Sequence, residues 1–300
     1  MGEILFSVIL PTYNRAHTIR KTLASLERQT FQEFEVIVVD DGSTDDTEAV
    51  VAGHHLDVTL RYLKQTNQGV SAARNYGAKD ARGRFLVFLD SDDQMEPCYL
   101  AVISNIINRK EPVKFISCGV KIMQDGRETV FLPRMQPMYS GRSVNMLAGG
   151  FTISKDIFIA AGGYDPKIYF GENGELGLRI MRHVSSFELA FTDKIMLNIY
   201  VEGQLERRLR YNAWKELSSC ERIIELHGDG LLANDRQFYV SMLSKISVAA
   251  IVGNDVAKSR WYAKKALWYG RSFKSFLRFL LVNLFPSWYR KLLVKKNYLP

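Results

Sequence analysis

The sequence predicts an α/β fold: a doubly wound, mixed but mainly parallel sheet, followed by a C-terminal helical region. Three observations lead there. Short apolar, β-branched runs alternate with helical periodicities through the first ninety residues. Long crossovers, not tight hairpins, separate these runs, so successive strands return parallel, with helices covering both faces. From about residue 205 the pattern is helical throughout.

Residues 5–10 read as a buried strand, closed by the turn Pro11-Thr12-Tyr13-Asn14. Ile19, Leu23 and Leu26 recur at helical spacing, which predicts a helix over 15–29. A second strand over 34–39 stops at Asp40-Asp41-Gly42-Ser43-Thr44-Asp45. Ser43 or Thr44 is expected to cap the next helix, with Asp45, Asp46 and Glu48 favourable in its first turn. A third strand over 58–63, a small-residue helix over 71–81 and a fourth strand over 85–89 complete the rhythm. Right-handed crossovers put the loops after these strands on one edge, where open sheets bind ligands. That edge would hold 11–14, 40–41 and 90–93.

Beyond it, 97–108 reads as helix and 114–123 as strand, with a hairpin turn at Asp125-Gly126. Helices over 157–161 and 172–183 and a last strand over 195–200 follow; 207–227, 235–252 and 255–269 are helical. The division expected is residues 1–204 for the sheet domain and 205–300 for the helical region.

Composition bounds the class. With 47% hydrophobic and 24% charged residues, the chain is that of a soluble globular protein. Three scattered cysteines make neither a disulfide framework nor a zinc site, which favours a reducing, cytoplasmic compartment. The apolar run at 4–10 is too short for a signal segment, and no run reaches the roughly 18 residues of a bilayer span. Eleven basic residues and no acid fall in 256–300, so the net +8 leaves the preceding 255 residues mildly acidic.

The chemistry concentrates on the predicted edge. Asp90, Asp92 and Asp93 follow a buried strand within four positions. Carboxylates that close resist joint ionisation unless a cation or hydrogen bonds compensate. A hard divalent ion, Mg²⁺ or Mn²⁺, does so while sharing its shell with phosphate oxygens; a solvated acidic turn is the alternative. Asp40 and Asp41 can accept hydrogen bonds from a ribose or base edge as well as cap a helix. Gly69, ahead of Ser71, Ala72 and Ala73, permits close backbone approach. Arg74 is suited to a bidentate phosphate contact or to a surface salt bridge.

In order, VILPTYNR, VIVVDDGSTDDT, NQGVSAARNYGA and GRFLVFLDSDD resemble the family 2 glycosyltransferases over residues 6–93, and AAGGYDPKIYFGENGELGLRI continues the likeness more loosely to about 182. The resemblance implies the GT-A fold and inverting transfer from a nucleotide sugar, UDP-linked, with a divalent metal. Pro11, Thr12, Tyr13 and Asn14 would wall the base pocket. Asp41 would contact the base, with Asp40 beside it and Arg74 and Asn75 near the nucleotide. Asp90 and Asp92 would form the D-x-D pair around Ser91, Asp92 at the metal, and Asp93 would orient sugar or a metal-bound water. The family carries Glu-Asp at the start of a later helix, the Asp acting as base; here Glu172-Asn173 stands there. Asparagine cannot take the proton, so Glu172, or Glu175, becomes the candidate base. A nucleotide-sugar-binding scaffold that has lost its base is the non-enzymatic alternative.

The chain lacks G-x-G-x-x-G after its first strand and lacks a P-loop, which argues against a dehydrogenase or a P-loop ATPase. The tail, 256–300, interleaves its basic residues with Trp261, Trp268, Phe273, Phe276, Phe279, Phe285 and Trp288. That pattern predicts docking on an anionic membrane, peripheral on its inner face, in preference to nucleic acid; packing on the body of the protein is the alternative. By analogy with the family, the acceptor would be a surface or lipid-linked glycan.

Overall fold

The computed structural model describes residues 4–110, 112–136, 143–144, 146–201 and 212–295. Contacts gather the chain into two units: 1–136 with 143–166 and 172–201, and 167–171 with the helices beyond 201. The division expected at 204/205, the start of the helix expected from 207, and the last residues of the tail lie outside the described residues.

The first unit is built on a nine-stranded sheet. Its strands are β1 (Phe6–Thr12), β2 (Phe34–Asp40), β3 (Thr59–Lys64), β4 (Phe85–Phe88), β5 (Gln94–Met95), β6 (Phe115–Gln124), β7 (Arg127–Phe131), β10 (Phe151–Ser154) and β11 (Leu189–Val201). A separate two-stranded pair joins β8 (Met135–Gln136) to β9 (Ser143–Val144). The order is β3-β2-β1-β4-β10-β6-β11-β5, with β7 beside β6. The pairs among β1 to β4 are parallel, as is β6 with β11; β10 runs antiparallel to both its neighbours.

Alternation along β1 decides what covers each face. Val8 and Leu10 face a core closed by Ile19, Leu23 and Leu26 of α1 (Ile19–Glu27) and by Leu100, Ile103 and Ile107 of α4 (Tyr99–Arg109). Ile9 faces the other core with Ile37 and Val39. Ala73 and Ala78 of α3 (Val70–Asp80), Phe158 of α5 (Lys155–Ala160) and Leu176 and Ile180 of α6 (Glu172–Ile180) close that side. The small side chains of α3 let it lie close to the sheet: a Cβ on Gly77 would come within 2.5 Å of an Ile9 methyl carbon.

Two expectations need correction. The helix after β2, α2 (Thr47–Ala52), begins at Asp46 and has no side-chain cap from Ser43 or Thr44. Instead Ser43 Oγ accepts the Asn14 amide at 2.9 Å, and the Thr44 amide donates to Asn14 Oδ1 at 2.8 Å. β11 begins six residues before the expected strand, interrupted near Asp193 and Lys194 by a register shift. The hairpin at Asp125-Gly126 forms as expected, with φ of 48° and 73° and Gln124 opposite Arg127.

The second unit is helical: α7 (Ala213–Asn234), α8 (Arg236–Val252), α9 (Val256–Gly270), α10 (Phe273–Leu284) and α11 (Pro286–Lys295). Its starts are written in the sequence. Asn212, Asp235, Asp255 and Ser272 cap α7 to α10 through side-chain oxygens that accept amides of the first turn. Val248, Ile251 and Val252 of α8 pack with Ala263, Val282, Tyr289 and Leu293. Among the described residues no helix is long and apolar enough to cross a membrane.

Candidate active site

Parallel register carries the loops to one edge. Thr12 pairs with Asp40 at the ends of β1 and β2, and Ile9 pairs with Phe88 at the end of β4. The turn at 11–14 and the acidic stretches at 40–41 and 90–93 therefore meet where the sequence predicts.

Asp40 and Asp41 organise this edge. Asp40, buried, accepts the Ser43 amide at 2.7 Å and the Tyr62 hydroxyl. Asp41 accepts Gln65 Nε2 at 2.7 Å and the amides of Gln68 and Gly69 at 2.8 Å. Its carboxylate thus fixes the loop that opens α3. Gly69 sits at φ 90°, a conformation glycine tolerates, and no atom lies within 4 Å of where its Cβ would stand. Of the predicted base wall, Pro11 and Thr12 are buried and Tyr13 is exposed; Asn14 adopts φ 52°. Thr12 Oγ1 is buried without a hydrogen-bond partner among the described residues.

Arg74 is 2% exposed and bridges two carboxylates: Nη2 donates to Asp90 Oδ1 at 2.7 Å, and Nη1 to Glu172 Oε1 at 3.1 Å. It is a buried ion-pair bridge, not the surface pair that the sequence left open. Its guanidinium lies 5.1 Å from the centre of the Tyr164 ring. The sequence assigned Tyr164 no role, although it lies in the quoted GGYD stretch. Its hydroxyl donates to Asn173 Oδ1 at 2.8 Å. Asn75 has a different task from the nucleotide contact expected: its side-chain amide exchanges hydrogen bonds with the backbone N–H and C=O of Tyr164, both at 2.8 Å.

The acidic turn divides in two. Asp90 and Asp92 keep side chains 35% and 24% exposed, and Arg15 Nη2 lies 3.4 Å from Asp92 Oδ2. Ser91 and Asp93 are buried, and Asp93 accepts the Tyr200 amide at 3.0 Å. Burial, then the charges of Asp90 and Asp92, push the Asp93 carboxyl up to about 9. Burial sets Asp93 apart from Asp90 and Asp92, whose side chains stay partly exposed. These two half-buried, hard-oxygen carboxylates are a pair that fits a divalent cation completing its shell with phosphate oxygens.

The two candidate bases separate. Glu175 is fully buried and bidentate to Arg179 at 2.7 and 2.6 Å, which corrects its candidacy: no acceptor hydroxyl can reach it. Glu172 opens α6 with its side chain 15% exposed, joined through Arg74 to the D-x-D turn.

Comparisons with known proteins identify the family. The model "Glycosyl transferase family 2" matches residues 7–163. An uncharacterized glycosyltransferase of Haemophilus influenzae is 31% identical over 190 residues, 60% of this chain and 63% of that protein. The validoxylamine A glucosyltransferase of Streptomyces hygroscopicus subsp. jinggangensis is 44% identical over 100 residues, 32% of this chain and 24% of its own length. The chain spans only 15% of the length of an uncharacterized glycosyltransferase of Rickettsia conorii, to which it is 41% identical over 93 residues, 31% of this chain. Among solved structures, S. aureus TarS 1–349 superposes with a TM-score of 0.60 at 22% identity, covering 96% of this chain and 91% of that one, a likeness of fold. With the family model matched over more than half its residues, the chain belongs to glycosyl transferase family 2.

Proposed function

We propose that this protein is an inverting, metal-dependent glycosyltransferase that moves a sugar from UDP to a hydroxyl of a cell-surface or lipid-linked glycan. The observation that carries the reading is the bridge through Arg74, which reaches 98 positions along the chain to Glu172 and joins it to Asp90. A D-x-D turn joined to a partly exposed carboxylate is what one-step displacement needs. S. aureus TarS 1–349, the structural relative, has been crystallised with UDP and with UDP-GlcNAc, which favours a uridine donor.

Asp90 and Asp92 would hold the divalent ion, Mn²⁺ or Mg²⁺. When bound, that ion supplies Lewis acidity against the charge building on the departing diphosphate. The rest falls to the chain. Asp41 holds the Gly69 loop open for close approach of the nucleotide, and the orphaned Thr12 hydroxyl is left with hydrogen-bonding capacity at the same edge. Glu172 accepts the proton of the acceptor hydroxyl through a carboxylate oriented by Arg74. Asn173, whose Oδ1 is occupied by Tyr164, keeps the structural half of the Glu-Asp pair and leaves proton transfer to Glu172.

Residues 256–300 are proposed to rest on the anionic inner face of a membrane. Trp261, Trp268, Phe273, Phe276, Phe285 and Trp288 are exposed among the basic residues, while the inner faces of the same helices pack. The exposed outer faces support docking, while the inner faces pack among the helices of the same unit.

The test is nucleoside diphosphate release from a panel of donors and acceptors with Mn²⁺. Glu172→Gln is expected to lower kcat by about 10²–10⁴-fold, the usual share of a general base, with UDP affinity unchanged. A wild type that binds UDP but turns over no pair would favour the scaffold reading.

A further inference from the structure

The second unit holds a cleft that the reaction above does not use. It is about 330 Å³ in volume and is lined by Lys245 on α8, by Lys274 and Arg278 on α10, and by Ser244, Ser272 and Ser275. One carboxylate, Glu216 of α7, lines it. Among the described residues, the ion pairs Arg222–Glu225 and Lys258–Glu221 of this unit use none of the three cations. Arg278 Nε is buried with no hydrogen-bond acceptor among the described residues. A buried donor of that kind is costly unless a ligand supplies the acceptor.

Charge and shape indicate an oxyanion. Three cations and one carboxylate line it, together with serine hydroxyls. The wall includes the first turn of the twelve-residue α10, an end that favours negative charge. Guanidinium and ammonium groups with serine hydroxyls suit a phosphate. The surroundings say what carries it. Phe273 and Leu277 adjoin Lys274 and Arg278 in the sequence of α10 and are exposed, Phe273 to 76%. Apolar side chains beside a phosphate site match a phosphate with an acyl chain attached.

We propose that this cleft takes the phosphate of an anionic membrane lipid, with Phe273 and Leu277 entering the apolar layer beside it. The inference rests on the membrane reading of residues 256–300 and gives it a specific headgroup site.

The full-length chain is sedimented with vesicles of phosphatidylcholine and phosphatidylglycerol in equal parts, and with phosphatidylcholine alone; glycerol phosphate binding is measured by calorimetry. Lys274→Gln/Arg278→Gln removes two charges inside the cleft, and Lys264→Gln/Lys291→Gln removes two outside it. Diffuse attraction would weaken both variants equally, about fivefold per charge. A defined site predicts at least about tenfold more loss for the cleft variant than for its control. It also predicts weak binding to phosphatidylcholine vesicles and to glycerol phosphate. Equal losses in the two variants, or glycerol phosphate bound as tightly as vesicles, would overturn the cleft while leaving the membrane reading in place. A wild type that binds no vesicle would remove both, and neither result bears on UDP release. Should the cleft variant lose helicity, Lys245→Gln on α8 carries the same comparison.

Discussion

Arg74 does what no other cation on this chain could do in its place. Burial opposes its charge, but Asp90, Tyr164 and Glu172 together outweigh burial and raise its pKa above the ordinary arginine value. Its planar fork reaches two carboxylates at once, which an ammonium on a single stem cannot do with the same geometry. Arg74→Lys is therefore expected to lower kcat far more than it raises KM for the donor, because the orientation of Glu172 is lost while Asp41 and the Gly69 loop remain. It should also cost about 3 kcal/mol of stability, the low end for breaking a buried pair. Steady-state kinetics and a thermal melt check both. Glu35 poses a related test away from the site. It is fully buried in β2 and accepts the Arg82 amide at 2.6 Å, Ser7 Oγ at 2.7 Å and Arg61 Nη1 at 3.0 Å. Burial raises its pKa, but these donors outweigh burial and hold it below the ordinary glutamate value. A carboxylate lowered on folding contributes stability above its unfolded pKa and loses it as pH falls through the folded one. Glu35→Gln should thus destabilise at pH 7 by about 3 kcal/mol and flatten the acid limb of a stability-against-pH curve.

At the scale of elements, two glycines separate side-chain from backbone crowding. A Cβ on Gly77 of α3 meets methyl carbons of Ile9 at 2.5 Å and Val39 at 3.0 Å, which a small shift of the helix relieves. Alanine's helix propensity, worth about 1 kcal/mol over glycine, works the other way. A Cβ on Gly83 meets the Ser7 nitrogen at 2.5 Å and the Phe6 carbonyl carbon at 2.6 Å, atoms of β1 that cannot give. Gly83→Ala is expected to cost about 3 kcal/mol, the upper range for overpacking, and Gly77→Ala about 1 kcal/mol or less; denaturant melts distinguish them. These contacts also mark the limit of what the sequence discloses. The edge bearing Thr12, Asp40 and Asp90 was legible because parallel crossovers leave no other place for loops after β1, β2 and β4. The starts of α8 and α9 were legible because helical periodicity begins at Asp235 and Asp255. β10 was not: its four residues, Phe151–Ser154, are too few to show a period, and only the completed sheet makes them a strand. The Arg74–Glu172 pair was not either, since no local rule links residues 98 positions apart. Glu175 could be read from the sequence as a salt pair with Arg179, and its burial then removed it as a base.

At the scale of the whole molecule, the basic tail cannot be treated as an appendage. Ala263, Val282, Tyr289 and Leu293 share a core with Val248, Ile251 and Val252 of α8, and Arg290 Nε donates to the Val252 carbonyl at 3.1 Å. A chain cut near residue 255 would bare that face of α8. It is expected to elute as aggregate in size-exclusion chromatography, so its loss of vesicle binding would report on folding, not on docking. The outer faces allow a cleaner question. Trp268 is 72% exposed, and Phe273 and Trp288 are also exposed. Surface substitutions at such positions change stability by about 0.5 kcal/mol or less, a shift of roughly 2 °C in Tm for a domain of this size. Each aromatic ring entering the interface, by contrast, contributes about 1–2 kcal/mol of burial. Trp268→Ser/Phe273→Ser/Trp288→Ser should therefore keep the wild-type Tm and UDP release while its partition to anionic vesicles falls by about a hundredfold or more. Partition equal to wild type in that variant would mean these rings do not meet the bilayer. A large fall in Tm would mean instead that the rings help hold the helices together. Circular dichroism melts and sedimentation on the same samples read the two terms separately, because docking and packing draw on opposite faces of the same three helices.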